Sequence, residues 1–425
     1  MVVIYRQEIL KDISLFTSQP VARFYDSLFF NLDLSFVKEY PKHGRRGFSS
    51  HSLICAFIVM KCEGFSMITD LVDYLNNNLI IAHYCGFDIT KPLPSYWSFE
   101  RFLKSFDHEE LSSIMKDQVL FLSKKGIIDT SFIGLDSTPV AANTSQNNPK
   151  SFLSNKFSKT KHPTCDKDCK LGVHTASNQM NEKKFEFFWG YKSHVLVDCI
   201  TGLPIYELTT TAEVYDSTVA LEILAKTNDF LPVQECSFLA DKGYDVKQIY
   251  NQIHSLYHGS CFIPINKRGT KNKKLLPIGN PVCEAGLAMN SDGLCHTANT
   301  TRHKYCCPYK YSHDENACPC HHKNYYNRKK HRGCIRWTTV PDDIRLSINR
   351  DSKYFKSNYA LRTECERYNS RFKAAGQERM WVRNKNSVTN LCTITHICML
   401  AIAIAAINTK SEISYRKMKT LKRSA

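Results

Sequence analysis

The feature that most constrains the fold is a change in the spacing of apolar residues near residue 129. Before this point apolar residues recur every three or four positions, as in "SSHSLICAFIVMKCEGFSMITDLVDYLNNN" from Ser49, which indicates α-helices with Ser49 or Ser50 as a cap. After it come the strand-like run "TSFIGLDSTPVAA" and two strands around a Thr-Gly turn in "FFWGYKSHVLVDCITGLPIYELTT". The change predicts a helical N-terminal part followed by a domain that contains a sheet.

The elements after the hairpin alternate between helix and strand. A helix is predicted at "YDSTVALEILAKTNDF", capped by Asp216 or Ser217, and a second helix closes near Gly259. The short apolar runs "SFLA" and "CFIPINK" are typical of buried strands. The polar stretch from residue 143 to 170 is predicted to be a loop. This order indicates an α/β fold, a mixed sheet with helices packed on it.

The charge of the chain indicates a polyanionic partner. Lys and Arg number 57 against 40 Asp and Glu, a formal net charge of +17, which fits nucleic acid first and an acidic membrane surface second. The N-terminus shows no signal peptide, and 18 cysteines without an export signal indicate reduced thiols or metal ligands. The apolar run from Leu391 to Asn408 is the one membrane candidate; because it is barely long enough and holds His396, a buried helix is preferred.

Two aspartates lie in or at the end of apolar runs, where a carboxylate needs a bonding partner. Asp136 is in the middle of an apolar strand, where an unpaired carboxylate costs several kcal/mol, so it must bond to a cation, a metal or backbone donors. Asp241 ends the "SFLA" run, the position of ligand sites in open α/β sheets. Taken singly, either acid is as well explained by a role in holding a loop.

A third acid lies in "YALRTECERYNSRFK", from Tyr359 to Lys373. At about 100° per residue, Tyr359, Arg362, Glu366 and Lys373 fall within roughly 60° of arc on one helix face, whereas Glu364 lies more than a right angle away. A solvated face with ion pairs is the plain alternative. If Glu366 converges with Asp136 and Asp241 at the edge of the sheet, the three carboxylates suit two Mg²⁺ ions acting on a phosphodiester.

These residues resemble those of bacterial insertion-sequence transposases of the DDE type, whose catalytic domain is RNase H-like. The signature Tyr-x2-Arg-x3-Glu-x6-Lys of one subgroup is matched without a gap at Tyr359, Arg362, Glu366 and Lys373. The blocks "GLDSTPV", "GYKSHVLVD", "TGLPI" and "ADKGYD" are also similar to the family, and the N-terminal helices resemble the domain that precedes the catalytic one. The likeness covers most of the chain.

The resemblance implies roles for these residues. Asp136, Asp241 and Glu366 would hold two Mg²⁺ or Mn²⁺ ions, and Glu364 would be dispensable. The residues implied to contact DNA or to lie near the site are Tyr359, Arg362, Lys373, Lys192, His194, Arg379 and Arg383. The alternatives stay open: a satisfied strand histidine for His194 and a solvated helix end for the last two arginines. Trp381 and Trp337 are candidates to stack on a flipped base, although a buried core position is the preferred interpretation of both.

The implied activity is cleavage at the inverted-repeat ends of an insertion sequence, with transfer of the 3′-OH ends to target DNA. The implied partners are double-stranded DNA and a second copy of the chain, in the bacterial cytoplasm at the nucleoid and not in a membrane. A DNA-binding descendant that no longer cuts, and a stand-alone nuclease of the same fold, are the alternatives.

A segment rich in cysteine and histidine interrupts the catalytic part, and thiolates and imidazoles suit a structural Zn²⁺. The spacing contains no CxxC pair, so Cys283, Cys295, Cys307 and Cys318 are candidate ligands, with free thiols as the alternative. The basic run "HHKNYYNRKKHRGCIRW" fits DNA. The predicted domains are a helical domain at 1–125, a catalytic domain at 126–268 and 345–410, the Cys/His-rich insertion at 269–344 and a basic tail at 411–425.

Overall fold

The fold was obtained as a computed structural model, which describes residues 17–39, 47–153, 157–177, 183–266, 281–283, 285–297, 300–310, 333–339, 344–346 and 348–408. The chain forms two compact units. The first comprises Met1–Gln234 and Arg362–Ala425, and the second comprises Glu235–Leu361. Each unit is described by itself.

The first unit begins with helices, as the apolar spacing predicted. Side chains cap two of them: Ser49 accepts a hydrogen bond from the Ser52 backbone N–H at 3.4 Å, and Asp107 accepts one from Glu109 at 3.0 Å. The helices are α1 (Pro20–Phe30), α2 (Ser50–Cys62), α3 (Ile68–Asn77), α4 (Leu79–Tyr84), α5 (Tyr96–Ser105) and α6 (His108–Lys124).

An antiparallel sheet follows in the same unit, organised around one long strand. Its strands are β1 (Phe132–Ala141), β2 (Lys170–Ser177), β3 (Lys183–Asp198) and β4 (Pro204–Thr211), with the short helix α7 (Pro149–Leu153) before β2. β3 pairs with each of the other three strands, and the predicted hairpin is the β3–β4 pair. The register places Asp136, Val195 and Glu207 directly opposite one another across β1, β3 and β4. Their side chains therefore share one face of the sheet.

Three further helices complete the first unit: α8 (Asp216–Asn228), and then α11 (Thr363–Phe372) and α12 (Lys385–Asn408) from the C-terminal part of the chain. α12 is long and apolar enough to cross a membrane by length and composition, but 89% of its most apolar window is buried, and it packs against α2, α5, α6 and β4. The preferred interpretation of the run as a buried helix is confirmed.

The second unit contains a parallel pair of strands, β5 (Ser237–Ala240) and β6 (Ser260–Phe262), with the short helix α9 (Lys247–Asn251) between them. It also contains a three-stranded antiparallel sheet and the helix α10 (Lys353–Ala360), on which Tyr354 and Phe355 pack against Phe262. The strands of that sheet are β7 (Asn290–Thr297), β8 (Thr300–Cys306) and β9 (Ile335–Thr339), all in the Cys/His-rich segment.

The predicted fold class is confirmed, because antiparallel and parallel strands occur together with helices, as in a mixed RNase H-like α/β fold. Two local predictions are wrong. The N-cap of α8 is Tyr215, with no side-chain cap, because the Asp216 carboxylate is bonded elsewhere. The polar stretch before β3 is not all loop, since it includes α7 and the start of β2. The functional division into domains at residue 125 stays a prediction.

Candidate active site

Asp136 lies on β1 with its carboxylate held at both oxygens. The strand buries Ile133, Leu135 and Val140, but the Asp136 side chain is half-buried at the sheet face described above. Oδ1 accepts a hydrogen bond from the Ser137 backbone N–H at 2.9 Å, and Oδ2 accepts one from Asn369 Nδ2 at 3.1 Å. The first bond is a backbone donor, one of the partners that the sequence required. The second bond, from a side-chain amide that was not among those expected, docks α11 onto β1 at this carboxylate.

Glu366 lies on α11, one turn before Asn369, and its side chain is 62% exposed. Residues three apart project from the same side of a helix, so Glu366 projects from the side of α11 that contacts Asp136. Its Oε1 accepts a hydrogen bond from Arg362 Nη1 at 2.8 Å, and the Arg362 side chain is only 17% exposed. The arginine is therefore held in place while the carboxylate reaches solvent.

Glu364 is the buried glutamate of the pair. Its carboxylate forms an ion pair with Arg367, one turn further along the helix. The next residue, Cys365, is buried with its Sγ 3.9 Å from Cys199 Sγ, at the turn between β3 and β4. Of the two glutamates, Glu366 is the one whose carboxylate is accessible, whereas Glu364 stabilises the helix locally.

The stretch from Tyr359 to Lys373 is not one helix, and the prediction of a single stripe is wrong in this respect. α10 ends at Ala360 and α11 begins at Thr363, while Lys373 opens a wider turn that runs to Gln377. Tyr359 lies in the second unit, where its ring stacks on Phe355 at 5.9 Å between centroids. Of the predicted stripe, the structure retains the i, i+4 ion pair between Arg362, the N-cap residue of α11, and Glu366.

Asp241 follows β5 in the second unit, at the strand end where the sequence placed it. Its Oδ1 accepts a hydrogen bond from the Gly243 backbone N–H at 2.6 Å, which caps the short turn Lys242–Tyr244. A Cβ at Gly243 would come within 2.7 Å of that oxygen, so a larger residue would displace the carboxylate from this position. The loop-holding role is therefore present, and it uses Oδ1 of the carboxylate.

Lys192 and His194 share one acid, Asp216. The Lys192 ammonium donates to Asp216 Oδ1 at 2.9 Å and to the Val214 carbonyl at 3.0 Å. His194 is fully buried, with Nε2 2.9 Å from Thr210 Oγ1 and Nδ1 3.8 Å from Asp216 Oδ1. Burial lowers the pKa of His194 to about 4, although Asp216 opposes the shift. The burial of His194 favours a strand histidine over a DNA contact at this position, although only Nε2 is hydrogen-bonded within the described residues.

The remaining predicted DNA-contacting residues lie beyond α11. Lys373 is exposed with its ammonium 3.7 Å from Glu378, and Arg383 is exposed. The Arg379 guanidinium lies 4.8 Å from the centre of the Trp381 ring, a cation–π contact. Trp381 is 37% exposed and Trp337 49% exposed, so neither is the buried core tryptophan that was preferred.

Carboxylate oxygens fit a hard divalent cation in their chemistry. Within the described ranges, however, no group of three or more His, Cys, Asp or Glu side chains is placed to hold a metal ion. This holds also for the predicted zinc ligands that are described: Cys283 and Cys307 are buried and Cys295 is exposed. Cys318 and most of the basic run around it lie outside the described residues, so the zinc site stays a prediction.

Two residues of the site were not predicted from the sequence. Asn369 orients Asp136, and Asp216 holds Lys192. Asn369 had a signal in its spacing, three residues after Glu366 and hence on the same side of the helix. Asp216 had none, because it was assigned to capping α8.

Comparisons with known proteins address the chain as a whole. A family model described as "Transposase DDE domain" matches residues 128–401, more than half of the 425 residues. No curated protein matches. Among solved structures, the cryo-EM structure of the piggyBac transposase synaptic complex with hairpin DNA has 10% identity and a TM-score of 0.37, covering 98% of this chain and 78% of that one. The Mos1 transposase paired-end complex with left transposon end has 12% identity and a TM-score of 0.17, covering 52% of this chain and 61% of that one. These two scores are low, whereas the family match spans β1, Asp136, Asp241 and Glu366. The chain belongs to the DDE transposase family.

Proposed function

We propose that this DDE transposase cleaves phosphodiester bonds at the inverted-repeat ends of its own insertion sequence and transfers the 3′-OH ends to target DNA. The observation that carries the proposal is the docking of α11 on β1. The Asn369–Asp136 hydrogen bond brings the helix with the accessible Glu366 carboxylate to the strand with Asp136, inside the segment that matches the family.

Asp136, Glu366 and, from the second unit, Asp241 are the residues proposed to hold Mg²⁺ or Mn²⁺. The fit lies in their donor chemistry, and no ligand geometry is assigned. A bound pair of such ions would stabilise the charge on the attacking and leaving oxygens of an in-line displacement. The role of the protein is to hold the carboxylates: Asn369 and the Ser137 N–H orient Asp136, the Gly243 N–H orients Asp241, and Arg362 orients Glu366.

The basic residues are proposed to hold DNA. Arg362 lies beside Glu366, with one N–H group on its carboxylate, and a guanidinium is the side chain best suited to phosphate oxygens. Lys373, Arg379 and Arg383 follow α11 in the chain; Lys373 and Arg383 are exposed, and Arg379 is half-buried. Tyr359 is proposed to contact the terminal phosphates with Arg362 and Lys373, and Lys192 is proposed to lie near the site. The two solved structures compared above are a synaptic complex with hairpin DNA and a paired-end complex. We extend this to double-stranded element ends held by two copies of the chain, in the bacterial cytoplasm.

The test is cleavage of a linear DNA that carries the sequences flanking the gene, with Mg²⁺ or Mn²⁺ and with chelator. Wild type is compared with Asp136→Asn, Asp241→Asn and Glu366→Gln, and Glu364→Gln is the matched control two residues away on the same helix. Metal-dependent cuts at the repeat ends that disappear in the first three variants and persist in Glu364→Gln would support the proposal. Equal loss in Glu364→Gln and Glu366→Gln would contradict the assignment of Glu366.

The same experiment separates the alternatives. Tight binding to the flanks without cutting by wild type would favour a DNA-binding descendant that no longer cleaves. Metal-dependent cutting without preference for the repeat ends would favour a stand-alone nuclease.

A further inference from the structure

A set of buried polar side chains links the sheet of the first unit to the helix that carries Glu366. We name it the buried polar chain and define it as Glu207 on β4, Ser193 on β3, Thr393 and His396 on α12, and Tyr368 on α11. Each of these residues is at most 4% exposed. Polar groups at this depth are costly unless they are hydrogen-bonded, so their arrangement is specific.

Glu207 anchors the chain to the sheet. One carboxylate oxygen, Oε1, accepts a hydrogen bond from Thr393, and the other, Oε2, accepts one from Thr209 at 3.2 Å. Oε2 also lies 3.9 Å from His396 Nε2. Thr393 and His396 are three residues apart on α12 and so project from the same side of that helix toward the sheet.

His396 connects α12 to α11 through hydrogen bonding and ring stacking. Its Nδ1 shares a 2.6 Å hydrogen bond with the Tyr368 hydroxyl, and its Nε2 lies 3.3 Å from Ser193 Oγ. The imidazole is stacked with two rings of α11, at 5.8 Å from Tyr368 and 5.0 Å from Phe372 between centroids. Burial lowers the pKa of His396 to about 3, so the ring is neutral, with one N–H donor and one acceptor nitrogen.

α11 is thus fixed to its surroundings at two consecutive residues. Tyr368 bonds to His396, and Asn369, about 100° further around the helix, bonds to Asp136. Two bonds in different directions fix the rotation of a helix about its axis, whereas apolar packing alone tolerates small rotations. Glu366 is three residues before Asn369, so the rotation that these bonds fix also fixes the direction of the Glu366 carboxylate.

We propose that His396 and Tyr368, anchored by Glu207, are positioning residues that set the rotation of α11 and thereby the direction of Glu366. The inference rests on the proposed function in one respect, that Glu366 takes part in cleavage. The buried polar chain touches neither Asp136 nor Glu366 through any contact described above. It acts through the helix.

The experiment compares Tyr368→Phe, which removes one hydroxyl, with His396→Phe, which keeps a stacked ring but removes the hydrogen bond. The readouts are the single-turnover cleavage rate on the flank DNA and, separately, the affinity for that DNA. We expect the rate to fall by about tenfold to a hundredfold in either variant, because a misplaced catalytic group costs rate on this scale, with affinity changed less than about twofold. The double variant should be no slower than the slower single variant, since both remove the same bond.

His396→Asn is the rescue variant, because the asparagine amide lies near the position of Nδ1 and can bond to Tyr368. It should cut faster than His396→Phe, and it tests the proposal also if His396→Phe does not fold. Ile114→Val on α6 is the control for loss of stability alone, because Ile114 is buried but does not belong to the buried polar chain. Wild-type rates in Tyr368→Phe and His396→Phe, additive losses in the double variant, or an equal loss in Ile114→Val would overturn the proposal.

Failure of the proposed function would look different, since wild type itself would not cut. Hydrogen exchange of the α11 amides, residues 363–372, then decides the positioning role. Faster exchange in Tyr368→Phe and His396→Phe than in Ile114→Val supports it, and exchange equal to wild type overturns it.

Discussion

Acidification should destabilise the protein through two buried histidines of the first unit. Burial lowers the pKa of His194 to about 4 and that of His396 to about 3, against about 6.5 for an unfolded histidine. Between these values the unfolded chain binds more protons than the folded one, so the free energy of unfolding falls as pH falls. The stabilisation is fully present above about pH 6.5 and is lost progressively down to about pH 4 or 3.

The size of the effect follows from proton linkage. Between pH 7.5 and 5, each histidine that protonates only in the unfolded state lowers the free energy of unfolding by about 2 kcal/mol, and both together by about 4 kcal/mol. That is a large share of the roughly 5–15 kcal/mol typical of a folded protein. Carboxylates contribute their own pH dependence, so the histidine part must be obtained by difference.

The assay is denaturant unfolding, followed by circular dichroism, at a series of pH values. His194→Gln keeps an amide near Thr210, and His396→Asn keeps one near Tyr368, but neither can titrate. Each variant should flatten the loss between pH 7.5 and 5 by about 2 kcal/mol, whatever its stability at pH 7.5. His83→Gln, at an exposed histidine, controls for removal of a histidine as such. A wild-type pH profile in both buried variants would refute the reasoning.

Three further changes have defined outcomes. Asn369→Ala removes the donor to Asp136 and should cost about 1 kcal/mol in the free energy of unfolding while slowing cleavage, measured by denaturation and by the cleavage assay; an unchanged rate would contradict the docking role. Gly376→Ala should lower the free energy of unfolding by more than about 1 kcal/mol, because φ is +80° and a Cβ would lie 2.7 Å from the Phe65 carbonyl oxygen. Gly126→Ala is the control, since φ is +69° but the space around it is open, so it measures the backbone cost alone. Equal losses of stability on denaturation would contradict the steric part of the argument. Arg383→Ala should reduce the slope of log affinity against log salt concentration by about 0.9 if the arginine neutralises one DNA phosphate. Arg367→Ala is the control and should leave the slope unchanged, because this arginine is paired with Glu364. Binding titrations at several salt concentrations measure both slopes, and equal slopes for the two variants would contradict the assignment of Arg383.

The sequence predicted the helices and turns that are determined by neighbouring residues. Apolar periodicity located the N-terminal helices, and the Thr-Gly turn located the β3–β4 hairpin. The same reasoning missed the break between Ala360 and Thr363. A helical wheel assumes one continuous helix, so it cannot reveal where a helix is interrupted. It also missed β2, because Lys170–Ser177 holds few apolar residues, although this strand pairs with β3, the next strand in the chain.

The two glutamates of α11 show why burial was harder to predict than spacing. The wheel separated Glu364 from Glu366 correctly by direction, but it could not say which direction faces the protein. That depends on contacts distant in sequence, such as Cys365 against Cys199 and Tyr368 against His396. Glu364 is on the buried side and needs Arg367, whereas Glu366 is on the open side and is oriented by Arg362.

The hydrogen-bond partners of Asp136 determine whether its carboxylate keeps its charge for the reaction. Its place in an apolar strand required a cation, a metal or backbone donors; the structure supplies the Ser137 backbone N–H and, in addition, the neutral amide of Asn369. An amide donor fixes the orientation of a carboxylate without cancelling its charge, which an arginine or lysine in the same place would do. In the proposed function this charge would serve to hold a divalent cation. Replacing Asn369 by a basic residue should therefore preserve the docking of α11 and still impair a metal-dependent reaction, whereas a purely structural Asp136 would tolerate the exchange.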